Sequence, residues 1–572
     1  MSATDAKTGR IGAAIRRRPL VVLFVVCLLA WLPGLFTLPP LDRDESRFAQ
    51  ASKQMLETGN FVDIRFGREP RYKKPVGIYW LQAAATEAAS AATGDTTRNR
   101  IWTYRIPSLI GAFAAVALTY WCASAFLEAP AAFLAALLLA LTLLLSAEAK
   151  IAKTDATLLA AIVGAQAVLL RAWLARDPEA PQLPFRTALL GWLAFAIGIL
   201  VKGPVIAGVV GVTVAALLVW DREWRWLGKL RPAWGVLLTL VVVMPWLLAI
   251  ALASHGAFYA QALGHDFGAK LAGGQETHGE PPGYYLLMTT ATLWPATLFL
   301  VPAVAMVVLR RHEPAMRFLI AWAGASWLLF ELVPTKLPHY ILPAYPALAM
   351  IIAAFVAMPK PQDPPRWWRF LPAVSAFQFL AGAGLLAAAL VVLPRLYGSG
   401  TTPELIVGAI AVGVLSLAAV LAMLRGAKSG AVLFAASAAL VAYAALTLLA
   451  VPKLDRLWVS PHEAAIIAAH AKAGDPPPVL AGYTEPSAMF LIGTETRLTN
   501  GTGAAEIGAA QGGLVAVEDG QRGAFLAHLA ELEADATPID ALAGFNYSRG
   551  RPVHITLFRV TPPHEVTAPP QE

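Results

Sequence analysis

Thirteen long apolar segments constrain this 572-residue chain more than any other feature of its sequence. Each is close to the roughly 20 apolar residues that a helix needs to cross a bilayer. Composition agrees, because only 14% of the residues are charged and 57% are apolar. The pattern predicts an all-α polytopic membrane domain and excludes soluble, disordered and disulfide-scaffold classes. The segments centre near residues 20–38, 105–126, 131–147, 156–175, 187–201, 204–220, 234–253, 284–308, 317–333, 340–358, 371–393, 404–424 and 430–451.

The orientation of these segments follows from the basic residues in the short loops. Arg16, Arg17 and Arg18 precede the first segment, which predicts a cytoplasmic N-terminus because Lys and Arg concentrate on the cytoplasmic side. Thirteen crossings then place the tail outside. This count depends on Lys202-Gly203 separating two spans, since one broken helix there would invert everything downstream.

The predicted domains are a membrane domain over residues 1–451 and an outer α/β domain over residues 452–572. Residues 39–104 form an outer loop inside the first domain. The net charge of +8 alone suggests a nucleic-acid partner, but the basic residues cluster at the ends of apolar segments. We therefore expect membrane lipids as partners and no nucleic acid.

The outer loop opens with the acidic pair Asp44-Glu45. Phe48, Ala51 and Met55 follow at helical spacing, which predicts a short amphipathic helix lying at the membrane surface. Asp is a preferred N-cap residue, so Asp44 is either a cap, a catalytic acid, or both.

The same loop is unusually basic for an outer segment. A solvated basic face near lipid headgroups and an anion site for a lipid-borne phosphate are both consistent with it. Lys73 and Lys74 directly precede an aromatic pair suited to the membrane interface, Tyr79-Trp80, which places a lysine at the depth of a lipid phosphate.

Three other outer loops contain candidate residues. Asp155 begins an apolar segment, where an acidic residue is either functional or a helix cap. Lys336, His339 and Tyr340 lie between two segments in a proline-rich stretch. A third loop contains several potential metal ligands, but their spacing matches no standard signature, so we expect no metal. Those ligands are His255, His265, Asp266, His278 and Glu280.

Five short motifs occur in the order DRDESRFA, RYKKPVGIYW, AKTDATLL, VKGP and TKLPHYILPAYPALA. In this order and on one face, they resemble the polyprenyl-phosphate-dependent glycosyltransferases with the GT-C membrane fold. The resemblance is strongest to the bacterial lipid A aminoarabinose transferases and relatives of protein mannosyltransferases. It covers residues 1 to about 450, with a periplasmic C-terminal domain beyond.

The resemblance implies roles for individual residues. Asp44 and Glu45 match the catalytic acidic motif, and Asp155 matches its second acidic residue. Arg47 and Lys74 match residues that face the donor phosphate, with Lys336 in support. The remaining predicted substrate contacts are Lys73, Tyr79, His339 and Tyr340. Lys73 departs from the pattern, because the aminoarabinose transferases commonly have Glu there, which puts metal ligation and the sugar in doubt.

The implied reaction is inverting transfer of a sugar from undecaprenyl phosphate to lipid A or its core, at the periplasmic face of a bacterial inner membrane. It requires no cofactor, since the phosphate departs as a stable anion. A protein hydroxyl acceptor, as in protein O-mannosyltransferases, is the alternative. A secondary transporter is a third reading, but it should bury its polar residues near the midplane.

Overall fold

A computed structural model describes residues 17–262, 264, 280–358 and 366–563 of the chain. Within these ranges nine helices are long and apolar enough to cross a membrane, together with one sharply bent helix pair and three shorter apolar helices. They correspond to the thirteen predicted segments, and the chain is a multi-pass membrane protein. The nine are Ile101–Ala123, Asp155–Leu174, Phe185–Lys202, Pro232–Ala253, Pro314–Leu332, Pro338–Ala357, Arg366–Tyr397, Pro403–Leu424 and Lys428–Lys453. The three shorter helices are Pro19–Trp31, Ala129–Ala140 and Val205–Asp221.

The structure settles the two places where the segment count was open or too simple. One helix ends at Lys202 and the next begins at Val205, with Gly203 between them at a positive φ of 67° that favours glycine. The prediction of two segments there is confirmed. The predicted segment 284–308 is not one continuous helix, because the chain bends by 114° between Tyr284–Thr292 and Ala296–Leu309. Pro295 lies at the bend, where a residue without an N–H interrupts the helical hydrogen bonds.

The first loop folds around a helix that we call the loop helix, Asp44–Thr58. A two-stranded hairpin (β1, Arg65–Phe66, and β2, Glu69–Pro70) and the helix Gly77–Thr93 complete the loop. The predicted helix is confirmed, and its position at the membrane surface stays a prediction. Ten of its residues are buried, including Gln50, Lys53 and Gln54.

The C-terminal region contains the predicted α/β structure, built on a five-stranded sheet. Its strands are β3 (Val479–Ala481), β4 (Arg497–Thr499), β5 (Gly513–Glu518), β6 (Asp535–Asn546) and β7 (Arg551–Thr561). Their order is β4-β3-β5-β7-β6, with the first three parallel and β7 antiparallel to both neighbours. The helices of this region are Val459–His470, Pro486–Ile492, Gly501–Gln511 and Asp519–Glu531.

The helix Pro486–Ile492, which we call the docking helix, explains why the loop helix is buried. Its Phe490 packs among apolar side chains of the membrane domain that include Tyr104, at 5.4 Å between ring centroids. Lys53 Nζ donates a hydrogen bond to the Phe490 carbonyl oxygen at 3.3 Å. Gln50 Nε2 donates to Thr494 Oγ1 at 2.7 Å. The C-terminal region therefore contacts the polar side of the loop helix through hydrogen bonds.

A buried ion pair attaches the start of the loop helix to the membrane domain. Arg105 and Glu45 are each 1% exposed, and the Arg105 guanidinium donates to both Glu45 carboxylate oxygens at 2.8 and 2.9 Å. The remaining N–H groups of Arg105 donate to the carbonyl oxygens of Leu35, Leu38 and Pro39. Every charge removed from water here is thus matched by a partner, as a buried pair requires.

We expect Arg105→Gln to destabilise the protein strongly, because it leaves the Glu45 carboxylate buried without its counter-ion. Loss of one partner of a buried pair costs about 3–5 kcal/mol. Thermal unfolding in detergent should show a clear drop in melting temperature. Arg68→Gln is the matched control, since Arg68 is 67% exposed and its pair with Glu495 spans 3.9 Å. Equal melting temperatures for the two variants would contradict this prediction.

Candidate functional site

A cavity of about 570 Å³ opens between the ends of several apolar helices. Its walls are mainly apolar. Its polar side chains include five of the predicted site residues, together with Lys202 of the VKGP motif. The apolar lining includes Leu158, Leu159, Ile199, Val205, Leu247, Phe258, Leu329 and Phe330. The polar lining comprises Lys73, Lys74, Asp155, Lys202, Tyr259, His339 and Tyr340.

Asp155 is the centre of the charged groups in this cavity. Its residue is 7% exposed, and Lys202 Nζ donates a hydrogen bond to its Oδ1 at 2.6 Å. Lys153 Nζ lies 3.9 Å from Oδ2, and His339 Nε2 lies 3.9 Å from Oδ1. The helix beginning at Asp155 has Thr154 as its N-cap, so Asp155 is not the cap. A carboxylate buried at a helix end is stable here because two lysines compensate its charge.

Asp44 lies at the first position of the loop helix, where Arg43 and not Asp44 is the N-cap. Desolvation alone would raise the pKa of its carboxyl group. The nearby positive charges of Lys153 and Arg71, with a smaller contribution from Arg47, outweigh that effect and hold the pKa of Asp44 below its usual range. Asp44 is therefore ionised and electrostatically linked to the same groups that surround Asp155.

Of the three predicted phosphate-binding residues, Lys74 lines the cavity, beside the predicted substrate contact Lys73. Lys73 and Lys74 line the cavity at the beginning of the helix that starts at Gly77. Tyr340 lies across from them, with Lys202 Nζ 5.6 Å from its ring centroid and the His339 ring 4.9 Å away. Arg47 acts on Asp44 through its charge. The residues that line the cavity come from segments far apart in sequence.

Five predicted site residues lie outside the cavity lining: Asp44 and Arg47, described above, and Glu45, Tyr79 and Lys336. Glu45 is occupied by Arg105 and by the Ala152 N–H, which donates to its Oε1 at 2.8 Å. Tyr79 is fully buried against Phe48 at 5.3 Å between ring centroids. Lys336 Nζ donates to the Glu280 carbonyl oxygen at 2.8 Å. These contacts are structural, and a direct part in chemistry stays a prediction for Glu45, Tyr79 and Lys336.

Lys202, Lys153 and Arg71 are site residues that the predicted set did not include. Lys202 stands in the VKGP motif, and a lysine between two apolar segments was a signal that could have identified it. Lys153 also pairs with Glu148, at 3.1 Å between Nζ and Oε1. Arg71 is 8% exposed and lies over the Phe48 ring at 5.2 Å. No local pattern distinguishes it from the other arginines of the loop.

Potential metal ligands are scattered in the part of the chain that the structure describes. There, no three His, Cys, Asp or Glu side chains come close enough together to hold a metal ion. Three members of the weak candidate set, His265, Asp266 and His278, lie outside the described residues.

Comparison with known sequences identifies relatives of one enzymatic class. Residues 14–257 match the family model described as dolichyl-phosphate-mannose-protein mannosyltransferase. An undecaprenyl phosphate-alpha-4-amino-4-deoxy-L-arabinose arabinosyl transferase from Pseudomonas paraeruginosa is 31% identical over 56% of this chain and 57% of its own length. A protein of the same name from Edwardsiella ictaluri is 26% identical over 70% of each chain. The alignment with the first relative thus spans little more than half of that protein.

Comparison with solved structures extends the match to nearly the whole chain. The crystal structure of ArnT from Cupriavidus metallidurans bound to undecaprenyl phosphate has a TM-score of 0.74 and covers 94% of this chain and 97% of that one, at 18% identity. The apo form gives a TM-score of 0.71. The likeness shows a shared fold. The predicted resemblance is confirmed: this chain has the GT-C membrane fold with a C-terminal sheet domain and is similar in sequence to polyprenyl-phosphate-dependent glycosyltransferases.

Proposed function

We propose that this protein transfers a sugar from a polyprenyl phosphate, such as undecaprenyl phosphate, to lipid A or its core. One observation carries the proposal: a largely apolar cavity ends at a cluster of lysines beside the buried carboxylate of Asp155. An isoprenoid chain needs the apolar wall, and its phosphate needs the cations. The relatives named as undecaprenyl phosphate-aminoarabinose transferases support the same donor class.

Charge development on the phosphate determines which residues act. When the bond between the sugar and the phosphate breaks, negative charge accumulates on the phosphate, and preorganised cations stabilise it most in the transition state. Lys74 and Lys202 line the cavity and supply that charge. Asp155 holds Lys202 through the 2.6 Å hydrogen bond, so the lysine is already oriented before the donor binds. Displacement from the opposite face inverts the anomeric centre.

Asp44 contributes as the acceptor-orienting carboxylate. Because its pKa is held low, it is a weak proton acceptor, which suits an acceptor that is already an anion. Cations outnumber carboxylates around it, so a lipid phosphate acceptor is attracted to the site. This balance favours lipid A over an un-ionised hydroxyl group.

A protein hydroxyl acceptor is the second candidate, and the match of residues 14–257 to a protein mannosyltransferase family favours it.

We further propose an inner-membrane location with the site on the periplasmic face, supported by the basic residues of the alternate short loops.

We also propose that no resident metal is needed. Activity that persists after EDTA treatment would support this, and activity restored only by a divalent ion would contradict it.

Asp44→Asn should abolish most of the transfer. A positioned carboxylate contributes typically about 10²–10⁴-fold, and Asn keeps the shape while removing the charge. Mass spectrometry of lipid A and of periplasmic proteins should compare cells with the wild type, the variant and no copy. A sugar-sized mass lost from lipid A in both deficient strains supports the proposal, and loss from proteins supports the second candidate. Glu69→Gln, in the same loop and exposed, is the control. Wild-type transfer by Asp44→Asn would refute the role of Asp44.

Lys74→Gln and Lys202→Gln should each weaken binding of undecaprenyl phosphate by roughly 10- to 100-fold. A hydrogen bond to a charged group is worth about 1.5–3 kcal/mol, and each substitution removes one cation from the cavity. Native mass spectrometry with undecaprenyl phosphate measures the affinity. Lys229→Gln is the matched control, because Lys229 binds Gln182 at an exposed position. Unchanged affinity in both cavity variants would place the phosphate elsewhere.

The pH dependence of transfer should depend on Arg71. Asp44 stays ionised throughout the neutral and mildly acidic range because its folded-state pKa is lowered, so its protonation limits the rate only at strongly acidic pH. Arg71→Gln removes one of the charges that lower this pKa, and the acidic limb of the pH–rate profile should move to higher pH. Arg100→Gln, which removes an exposed arginine paired with Asp95, should leave the limb in place. Identical limbs in both variants would contradict the assignment.

A further inference from the structure

The turn between β6 and β7 contacts the two residues that precede Asp44. The Asp42 N–H donates a hydrogen bond to the Tyr547 hydroxyl oxygen at 2.7 Å. The Arg43 guanidinium donates to the Ser548 carbonyl oxygen. These contacts join residues more than 500 positions apart and place the C-terminal region directly against the beginning of the loop helix.

The Asp42 side chain is held from the docking helix. The Ser487 hydroxyl donates to Asp42 Oδ1. Ser487 is itself fully buried, and its Oγ lies 2.6 Å from Ser460 Oγ, which in turn lies 2.9 Å from the Tyr483 hydroxyl. Ser487 therefore belongs to a hydrogen-bonded chain inside the C-terminal region and has little freedom to move with Asp42.

The backbone between these contacts and Asp44 needs such support. Arg43 has a φ of 62°, a region that residues with a Cβ adopt at a conformational cost. A strained residue of this kind persists only where its neighbours determine the geometry. On the far side of Asp44, Glu45 is held by Arg105 and the Ala152 N–H. Asp44 thus lies between an anchor in the membrane domain and an anchor in the C-terminal region.

We propose that Tyr547 and Ser487 are positioning residues for glycosyl transfer, which hold Asp42 and Arg43 so that Asp44 is directed toward the cavity. The C-terminal region then completes the active site and is more than an appended domain. This inference rests on the proposed function. We expect substitutions of Tyr547 or Ser487 to slow the transfer step without weakening donor binding, because the lysines of the cavity are on other segments.

The first test is the kinetics of Tyr547→Phe and Ser487→Ala in the full-length protein. We expect kcat to fall by about ten- to a hundred-fold with the KM for the undecaprenyl phosphate donor unchanged, since small displacements of a catalytic group cost this much. Tyr397→Phe is the matched control, because the Tyr397 ring lies 5.1 Å from that of Phe545, beside the same hairpin. Wild-type kcat in both Tyr547→Phe and Ser487→Ala would overturn the proposal.

A double-mutant cycle separates positioning from general damage. If Tyr547 acts through Asp44, adding Tyr547→Phe to Asp44→Asn should cause no further loss of activity. A purely structural effect would instead multiply with that of Asp44→Asn. Multiplied losses would therefore overturn the assignment even if the single variant is slow.

Hydrogen exchange gives a readout that needs no activity. Tyr547→Phe removes the oxygen that accepts the Asp42 N–H, so a peptide covering residues 39–48 should exchange faster than in the wild type or in Tyr397→Phe. Unchanged exchange would overturn the anchoring role. A wild-type protein that transfers no sugar would refute the proposed function, while the exchange result would still decide whether the turn holds this segment.

Discussion

The carboxylate of Glu45 joins three segments that meet at the site. It accepts two hydrogen bonds from Arg105 in the helix Ile101–Ala123 and one from the Ala152 N–H, ahead of Asp155, while its other contact is the Leu41 N–H at 2.9 Å. Because Glu45 and Arg105 are each 1% exposed, their charges must compensate each other. The position of Asp44 relative to Asp155 therefore depends on this one group, which lies immediately next to Asp44 in sequence.

The charges of the cavity form a second constraint that follows from the same physics. Asp155 is buried, so Lys202 and Lys153 must stay near it, and their presence keeps a positive potential at the polar end of an apolar space. A phosphate on a lipid is attracted to that potential, and its apolar chain is compatible with the walls. The groups that make a buried carboxylate tolerable are thus the groups that a lipid phosphate would use.

The C-terminal region contributes to the site through the loop helix. Lys53 donates to the docking helix, Gln50 donates to Thr494 just beyond it, and the β6–β7 turn reaches the residues before Asp44. The contact surface therefore runs along the helix whose first residue is Asp44. Movement of the C-terminal region as a rigid unit would change the orientation of that carboxylate.

The sequence by itself determined the features that depend on local pattern. Long apolar runs predicted the thirteen helical segments, and the short motifs predicted the GT-C fold, the donor cavity residues Lys73 and Lys74, and the acidic residues Asp44 and Asp155. Hydropathy was sufficient for the segments because the bilayer imposes one length and one polarity on each crossing. Hydropathy did not predict the bend within residues 284–308, because local composition contains no signal for a change of helix direction.

Only the tertiary structure decided which polar groups meet. The pair Lys202–Asp155 joins residues 47 positions apart, and the contact of Ser487 with Asp42 joins residues 445 positions apart. Periodicity and composition describe a segment and its immediate neighbours, so they contain no signal for such contacts. The burial of the loop helix was missed for the same reason: its amphipathic pattern shows that one face is polar but not whether water or another part of the chain satisfies it.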